Sequence, residues 1–329
     1  MLSAADVHAV LGYGDCARAM RDALTALAAG RAQQPLRTVV QPAGAAGLVA
    51  LMPAYLGGDG SAAAYGLKAL CIMPGNPAAG LDTHQGVVLL SDGKTGEPVA
   101  ILNASAVTEI RTAAVSIVAT ELLARPDAAT LAVIGAGVQA RAHILALDQA
   151  RRLAGIRVAS RDSDRAGQLA ASLRGRTRAP ITASPSAQAA ITGADIIVTA
   201  TSSVTPVLHR DWIAPGTHIN AVGACVPHAR ELDTATVAAA VLFADRRESL
   251  LAESGDYLLA AADGAAGPIR GELGEVLTGA APGRLTPDEI TVFESLGLAV
   301  EDLAAAALAY RTAAQASEAG ATVGTLVQF

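Results

Sequence analysis

The chain has 329 residues, a formal charge of −6 and a mean hydropathy of +0.39, with 3% aromatic and 16% charged side chains. That length predicts about two domains with a sizeable core. The acidic balance and the few aromatics argue against nucleic-acid binding, which needs a basic stripe or stacking platforms, and no apolar run reaches the roughly 18 residues of a membrane span.

Residues 3–11 and 15–29 read as helices, with Gly30 as a C-cap. Strand patterns follow at 36–40, 47–53, 63–73, 86–90 and 98–102. Two links, 74–77 and 91–96, are turn-rich, and the second reads as a hairpin loop. The first hundred residues thus predict helices followed by a mainly antiparallel sheet. A long helix over 105–124 carries Val107, Ile110, Ala114 and Ile117 as its apolar stripe. Arg125-Pro126-Asp127 ends it and marks a domain junction. The period then changes to alternation. A strand at 129–134 precedes a helix from Val138, a strand at 156–159 and a helix at 162–173. Further β-rich runs lie at 194–200, 218–222 and 239–244. A short helix at 272–277, a strand at 291–293 and an Ala-rich helix over 298–318 complete the pattern, with no internal repeat. The predicted fold class is α/β, a Rossmann-type doubly wound parallel sheet joined to an α+β domain with a mainly antiparallel sheet. The domains are expected at 1–118 plus the C-terminal segment 298–329, and at 119–297.

The first strand of the alternating part runs into Gly135-Ala136-Gly137-Val138-Gln139-Ala140. In this Gly-x-Gly-x-x-Ala pattern the first glycine permits a tight turn and the second admits a pyrophosphate. Ala140 lets helix and strand pack closely. The strand before, the helix after and a second strand about 20 residues on make it a dinucleotide site rather than a bare glycine turn. The second strand ends in Ser160-Arg161, with Asp162 one step beyond. An acidic tip would hold the ribose 2′-hydroxyl of NAD, whereas Ser160-Arg161 suits a 2′-phosphate, so NADP(H) is favoured and NAD(H) remains possible. Asp162 reads as a cap for the next helix.

Twenty-two of the 24 basic residues are arginines; the two lysines are Lys68 and Lys94. A lysine kept against such a bias marks a place for something arginine cannot do. Lys94 lies in the hairpin loop and reads as incidental. Lys68 interrupts the apolar strand Tyr65-Gly66-Leu67-Lys68-Ala69-Leu70, so it either snorkels to water or faces a counter-ion. Arg111 shares a helix face with Thr108 and is either an exposed helix arginine or a ligand. Arg37 lies in the strand at 36–40, as an edge charge or as a ligand. His84, between Thr83 and Gln85, is a proton donor, a substrate-orienting group or a structural histidine. His143 reads as packing. Thr201-Ser202-Ser203 either line a nicotinamide pocket at the strand ends or form a polar turn. Glu253 and Asp256 form a polar group near the cleft or, by preference, lie in a surface loop. Cys16, Cys71 and Cys225 have neither disulfide nor metal spacing, so no metal is expected. Met1-Leu2-Ser3-Ala4-Ala5-Asp6 has no secretory pattern, and a cytoplasmic location is expected.

Five stretches together are more specific than the glycine motif. They are Leu51-Met52-Pro53-Ala54-Tyr55, Glu109-Ile110-Arg111-Thr112-Ala113-Ala114, Gly135 to Ala140, the run from Gly216 through Asn220 to Ala224, and Thr291-Val292-Phe293-Glu294-Ser295-Leu296-Gly297. In this order, across roughly 35–310, the chain resembles the ornithine cyclodeaminase/mu-crystallin family. Arg230-Glu231-Leu232-Asp233, Glu253-Ser254-Gly255-Asp256 and Ser160-Arg161 look closer to its mu-crystallin/ketimine reductase branch. The resemblance implies that Arg37, Lys68 and Arg111, with Thr83 beside them, hold the carboxylate of an amino or imino acid. It implies a cofactor set of Gly135, Ala136, Gly137, Val138, Gln139, Ser160, Arg161, Thr112, Thr201, Ser202 and Val222. It also implies a homodimer through the sheet of the first domain. Cyclodeaminases carry an aspartate where this chain has Cys225, and a thiol cannot balance a substrate ammonium near neutral pH. The expected activity is therefore reduction of a 2-imino carboxylate such as pyrroline-2-carboxylate or piperideine-2-carboxylate. The rivals are ornithine cyclodeamination, alanine dehydrogenase-like or acyclic imine chemistry, and a non-catalytic NADP-binding role.

Overall fold

The computed structural model describes residues 1–58 and 63–327, so the last two residues of the predicted segment 298–329 lie outside the described residues. The chain divides into two compact units, Met1–Arg111 with Leu298–Phe329, and Thr112–Gly297. The division falls seven residues before the expected 118, inside the long helix.

The first unit begins with helices α1 (Ala4–Val10) and α2 (Tyr13–Ala28). Six strands follow: β1 (Ala32–Gln33), β2 (Thr38–Val40), β3 (Leu48–Leu56), β4 (Ala64–Ile72), β5 (His84–Asp92) and β6 (Pro98–Asn103). They form one antiparallel sheet in the order β1-β3-β4-β5-β6, with β2 also on β3. The hairpin between β5 and β6 is tied by Asp92, whose Oδ1 accepts from the backbone N–H of Lys94 and Thr95. The strand expected at 36–40 starts only at Thr38, so Arg37 stands outside the ladder. Pro35 has no N–H to donate, and pairing begins at Thr38 with Leu51. Along β3 burial alternates, with Ala50, Met52 and Ala54 inside and Leu51 and Pro53 outside. The inner face packs against α11 (Ala299–Glu318). Gly66 makes that approach possible, because a Cβ there would lie 2.5 Å from Leu303 Cδ1.

Helix α3 (Ala104–Leu123) carries the boundary. The second unit then alternates as predicted through β7 (Thr130–Ile134), α4 (Val138–Ala150), β8 (Gly155–Ala159), α5 (Ser163–Leu173), β9 (Ile181–Ala183), α6 (Ala187–Ile191), β10 (Ile196–Thr199) and β11 (His218–Ala221). It continues with α7 (Thr234–Ala239), β12 (Val241–Ala244), α8 (Arg247–Glu253), α9 (Gly255–Ala262), β13 (Ile269–Glu272), α10 (Leu273–Thr278) and β14 (Thr291–Glu294). All eight strands are parallel, in the order β13-β12-β14-β11-β10-β7-β8-β9. Strand order reverses at β7 and β10, the switch point where open α/β sheets bind ligands.

Some short elements escape a periodicity reading. β9 and β13 are edge strands of three and four residues, and Gly271 interrupts the apolar character of the second. The run at 239–244 begins as strand only at Val241, because α7 extends to Ala239 and Ala240 donates its N–H back to the Thr236 carbonyl as C-cap. The helix expected at 272–277 starts one residue later, since Glu272 still belongs to β13.

Candidate active site

In the first unit, β4 carries Lys68, α3 carries Arg111 and α11 carries Glu301 and Asp302. Asp302 Oδ2 lies 2.5 Å from Lys68 Nζ, and its Oδ1 accepts from Arg111 Nε at 2.9 Å. Glu301 Oε2 accepts from Arg111 Nη1 at 3.1 Å, and Lys68 Nζ reaches Thr108 Oγ1 at 3.5 Å. All four charged residues are buried, Lys68 to 3% exposure and Glu301 to none. Lys68 thus faces a counter-ion and does not snorkel, and Arg111 is no surface arginine. Both acids lie in the first turn of a 20-residue helix, where the helix dipole favours negative charge.

The quartet carries no net charge if all four members are ionised. Arg37, half-buried just before β2, adds its positive field at Lys68. Burial drives the Lys68 ammonium down to about 8; the Asp302 carboxylate opposes that shift, and Arg111 and Arg37 add to it. Burial opposes ionisation of Asp302, but Lys68 and Arg111 together hold its carboxyl below the usual range. His84 opens β5, where Ser105 Oγ donates to its carbonyl, and Thr83 precedes it. The residue keeps solvent contact, yet the protein around its ring, then Lys68 and Arg111, depress the imidazole pKa. His84 is therefore neutral at pH 7. Cys16 of α2 is buried in the field of the same quartet, and burial pushes its thiol up to about 12, which makes it inert.

Glu301 and Asp302 were not among the predicted site residues. Their signal was present, because two adjacent acids in Leu298-Ala299-Val300-Glu301-Asp302-Leu303-Ala304 need buried partners as much as Lys68 does.

In the second unit the glycine motif joins β7 to α4. Gly135 has φ +130, and a Cβ there would lie 2.4 Å from the Ala200 carbonyl oxygen. Gly137 is the N-cap of α4 with no side-chain cap, a Cβ added there would meet open space, and Val138 beside it is exposed. The start of this 13-residue helix thus receives no side-chain cap at Gly137, which fits a pyrophosphate at its N–H groups. Ala140 is fully buried, as close packing requires; Ala136 lies in the turn and Gln139 in the first turn of α4. Thr112 is buried with no partner for its Oγ1. Ser160 is half-buried and Arg161 exposed at the end of β8. The Asp162 carboxylate caps α5, accepting from the N–H of Asp164 and Arg165 at 3.0 and 3.2 Å. Thr201 and Ser202 follow β10, and Val222 follows β11.

The surface-loop reading of Glu253 and Asp256 changes, since Glu253 is half-buried at the end of α8. Asp256 is not in a surface loop but fully buried in the first turn of α9. Its Oδ1 accepts the backbone N–H of Glu231 and Leu232 at 2.7 and 2.9 Å. Burial, not sequence position, makes it matter. His143 is fully buried between the Ser116 hydroxyl and the Gln139 carbonyl, a packing role. Cys225 lies against the apolar cluster of Ala244, Leu250 and Leu296. Among the described residues no group of His, Cys, Asp or Glu is arranged to hold a metal ion, and no helix is long and apolar enough to cross a membrane.

Known proteins resemble the chain over most of its length. The ornithine cyclodeaminase/mu-crystallin family model matches residues 1–317. The mouse ketimine reductase mu-crystallin is 41% identical over 281 residues, 85% of each chain. The structure of Thermococcus litoralis Delta(1)-pyrroline-2-carboxylate reductase in complex with NADH and L-proline is similar, with TM-score 0.93 and 35% identity over 99% of this chain and 100% of that one. An archaeal alanine dehydrogenase dimer with bound NAD superimposes with TM-score 0.91 and 30% identity, covering 100% of this chain and 98% of that one. This chain belongs to the ornithine cyclodeaminase/mu-crystallin family.

Proposed function

We propose that the chain is a nicotinamide-dependent reductase of cyclic 2-imino carboxylates, with pyrroline-2-carboxylate or piperideine-2-carboxylate as substrate and an L-amino acid as product. It is an oxidoreductase acting on imino or amino acids. The observation that carries the finer reading is the buried Lys68–Arg111 pair braced by Asp302. A fixed ammonium and guanidinium, with the Arg37 charge beside them, suit a small carboxylate. Asp302 and Glu301 hold both cations in one geometry, so their orientation costs little when the substrate arrives. When bound, the cofactor supplies the hydride that reduces the imine carbon. Lys68, at about 8, can give up a proton near neutral pH, whereas a neutral His84 serves as orienting group rather than acid. Thr83 offers a hydroxyl beside it. Cys225 against apolar side chains provides no charge for a distal ammonium, which disfavours cyclodeamination.

The test is oxidation of NADPH and NADH against cyclic and acyclic imino acids, with ornithine as control. Cyclic substrates should be consumed fastest. Ammonia release from ornithine without change in nicotinamide absorbance would overturn the proposal.

NADP(H) is the preferred cofactor in this reading. Asp162 is spent on capping α5, and Ser160 with Arg161 remains for a 2′-phosphate. Arg161→Ala should raise the NADPH KM about tenfold and leave that for NADH nearly unchanged; equal effects would sink the preference.

The outer face of the first unit's sheet exposes Val40, Leu51, Tyr65 and Val87, at 51, 36, 52 and 42%. An apolar sheet face of this kind suits a second copy of the chain, giving a homodimer. Sedimentation showing a monomer at micromolar concentration would refute it.

A further inference from the structure

Behind the nucleotide site lies a group of buried carboxylates that the reaction above does not use. Glu231 is fully buried, and its two oxygens reach two different strand ends. Oε1 accepts from the Thr201 backbone N–H at 2.6 Å and from its hydroxyl at 2.7 Å. Oε2 accepts from the Gly223 N–H at 2.7 Å. Thr201 and Gly223 each stand two residues beyond the ends of the neighbouring strands β10 and β11, which pair in parallel with Thr199 opposite Ala221. The two segments approach so closely that a Cβ on Gly223 would lie 2.1 Å from the Thr201 carbonyl oxygen.

The residue before Thr201 touches the dinucleotide turn itself. Ala200 donates its N–H to the Ile134 carbonyl at 2.8 Å, and its own carbonyl is the atom that requires glycine at 135. A second layer fixes the carboxylate in turn, since Asp256 accepts the Glu231 and Leu232 N–H groups. Behind it, Ser254 Oγ donates to Glu294 Oε2 at 3.0 Å.

We propose that Glu231 is a positioning residue for the dinucleotide: it clasps the ends of β10 and β11 and thereby holds Ala200-Thr201 against the Gly135 turn. The inference rests on the reading of that turn as the cofactor site. The charge distribution supports it. Asp256 Oδ2 and Glu294 Oε1 have no hydrogen-bond partner. Burial, with the Glu231 charge adding to it, pushes the Asp256 carboxyl up to about 7, and burial with Asp256 beside it holds Glu294 well above the carboxylate range. Burial raises Glu231 as well, against the donors from Thr201 and Gly223. Three donors facing the front carboxyl call for an acceptor on both arms, while the rear pair is pushed toward its protonated form.

Glu231→Gln tests this directly. An amide has one acceptor oxygen, so one strand end meets an NH2 where it needs an acceptor. The dissociation constant of NADPH, read by its fluorescence, should rise at least about tenfold. The KM for the imino acid at saturating cofactor should stay within about twofold, a split that general loosening of the fold would not produce. Glu231→Asp keeps the acceptor character but is one methylene too short to reach both strands. It should bind NADPH with intermediate affinity, and it decides the matter if the glutamine variant does not fold. A folded variant that binds NADPH within twofold of the parent overturns the inference. A parent chain that binds no nicotinamide nucleotide would instead overturn the reading of the site.

Discussion

Each of the two units buries a group of charged side chains, and the two groups are stabilised in opposite ways. In the first, Lys68 and Arg111 are matched by Asp302 and Glu301, charge against charge. In the second, Glu231, Asp256 and Glu294 are three acids held by backbone N–H groups, hydroxyls and retained protons. The first arrangement holds two cations in place beside the field of Arg37, as an anion-binding site needs. The second, in the proposal above, fixes the backbone of loop ends that would grip a ligand. Buried charge is therefore compatible with two different jobs, and what neutralises it tells them apart.

The largest expected effect comes from breaking the first group at its lysine. Lys68→Ala should cut turnover by at least about 100-fold while NADPH affinity is kept; near-normal turnover would remove Lys68 from the mechanism. Lys68→Arg keeps the charge but not the compact ammonium, and a fully active enzyme would reduce the scarcity of lysine to codon usage. Next is Asp302→Ala, which leaves Lys68 and Arg111 buried with Glu301 alone. A loss of about 3 kcal/mol in denaturant unfolding is expected, together with a higher imino acid KM. An unchanged midpoint would mean that the cations relax into water.

The two smaller effects are read by pH. Lys68 loses its proton as pH passes about 8, so a simple carboxylate inhibitor should bind more weakly above that point, while NADPH affinity should not follow. A flat inhibition constant up to pH 9.5 contradicts this. In the second group the sign is set by a raised acid. The native chain holds a proton on Asp256 up to about 7, whereas the unfolded chain releases it near 3.8. Native protein therefore binds more protons across that window, and stability contributed by this group falls as pH climbs from about 4 to about 7. Asp256→Asn should flatten that part of the stability curve; an unaltered slope would assign it to other groups.

Much of this molecule is written in local patterns. Alternation over 129–244 predicts the parallel sheet, and the glycine turn with its strand and helix marks the end proposed for the dinucleotide. Both are visible because periodicity and turn chemistry act over a few residues. Lys68 stands out for a related reason, since a lone ammonium in an apolar strand needs an explanation at once. The partners of these residues are not local. Glu301 lies 190 positions from Arg111, and Asp256 lies 25 from the backbone it fixes. Sequence alone determined the α/β fold class with its parallel and antiparallel sheets, the glycine turn and the candidate cations. Only tertiary structure decided that the cations are braced by α11, that Arg37 stands outside its strand, and that Asp256 is buried rather than on a surface loop. The physical reason is that burial and counter-charge belong to packing between distant segments, and no short-range pattern encodes which acid will meet which base.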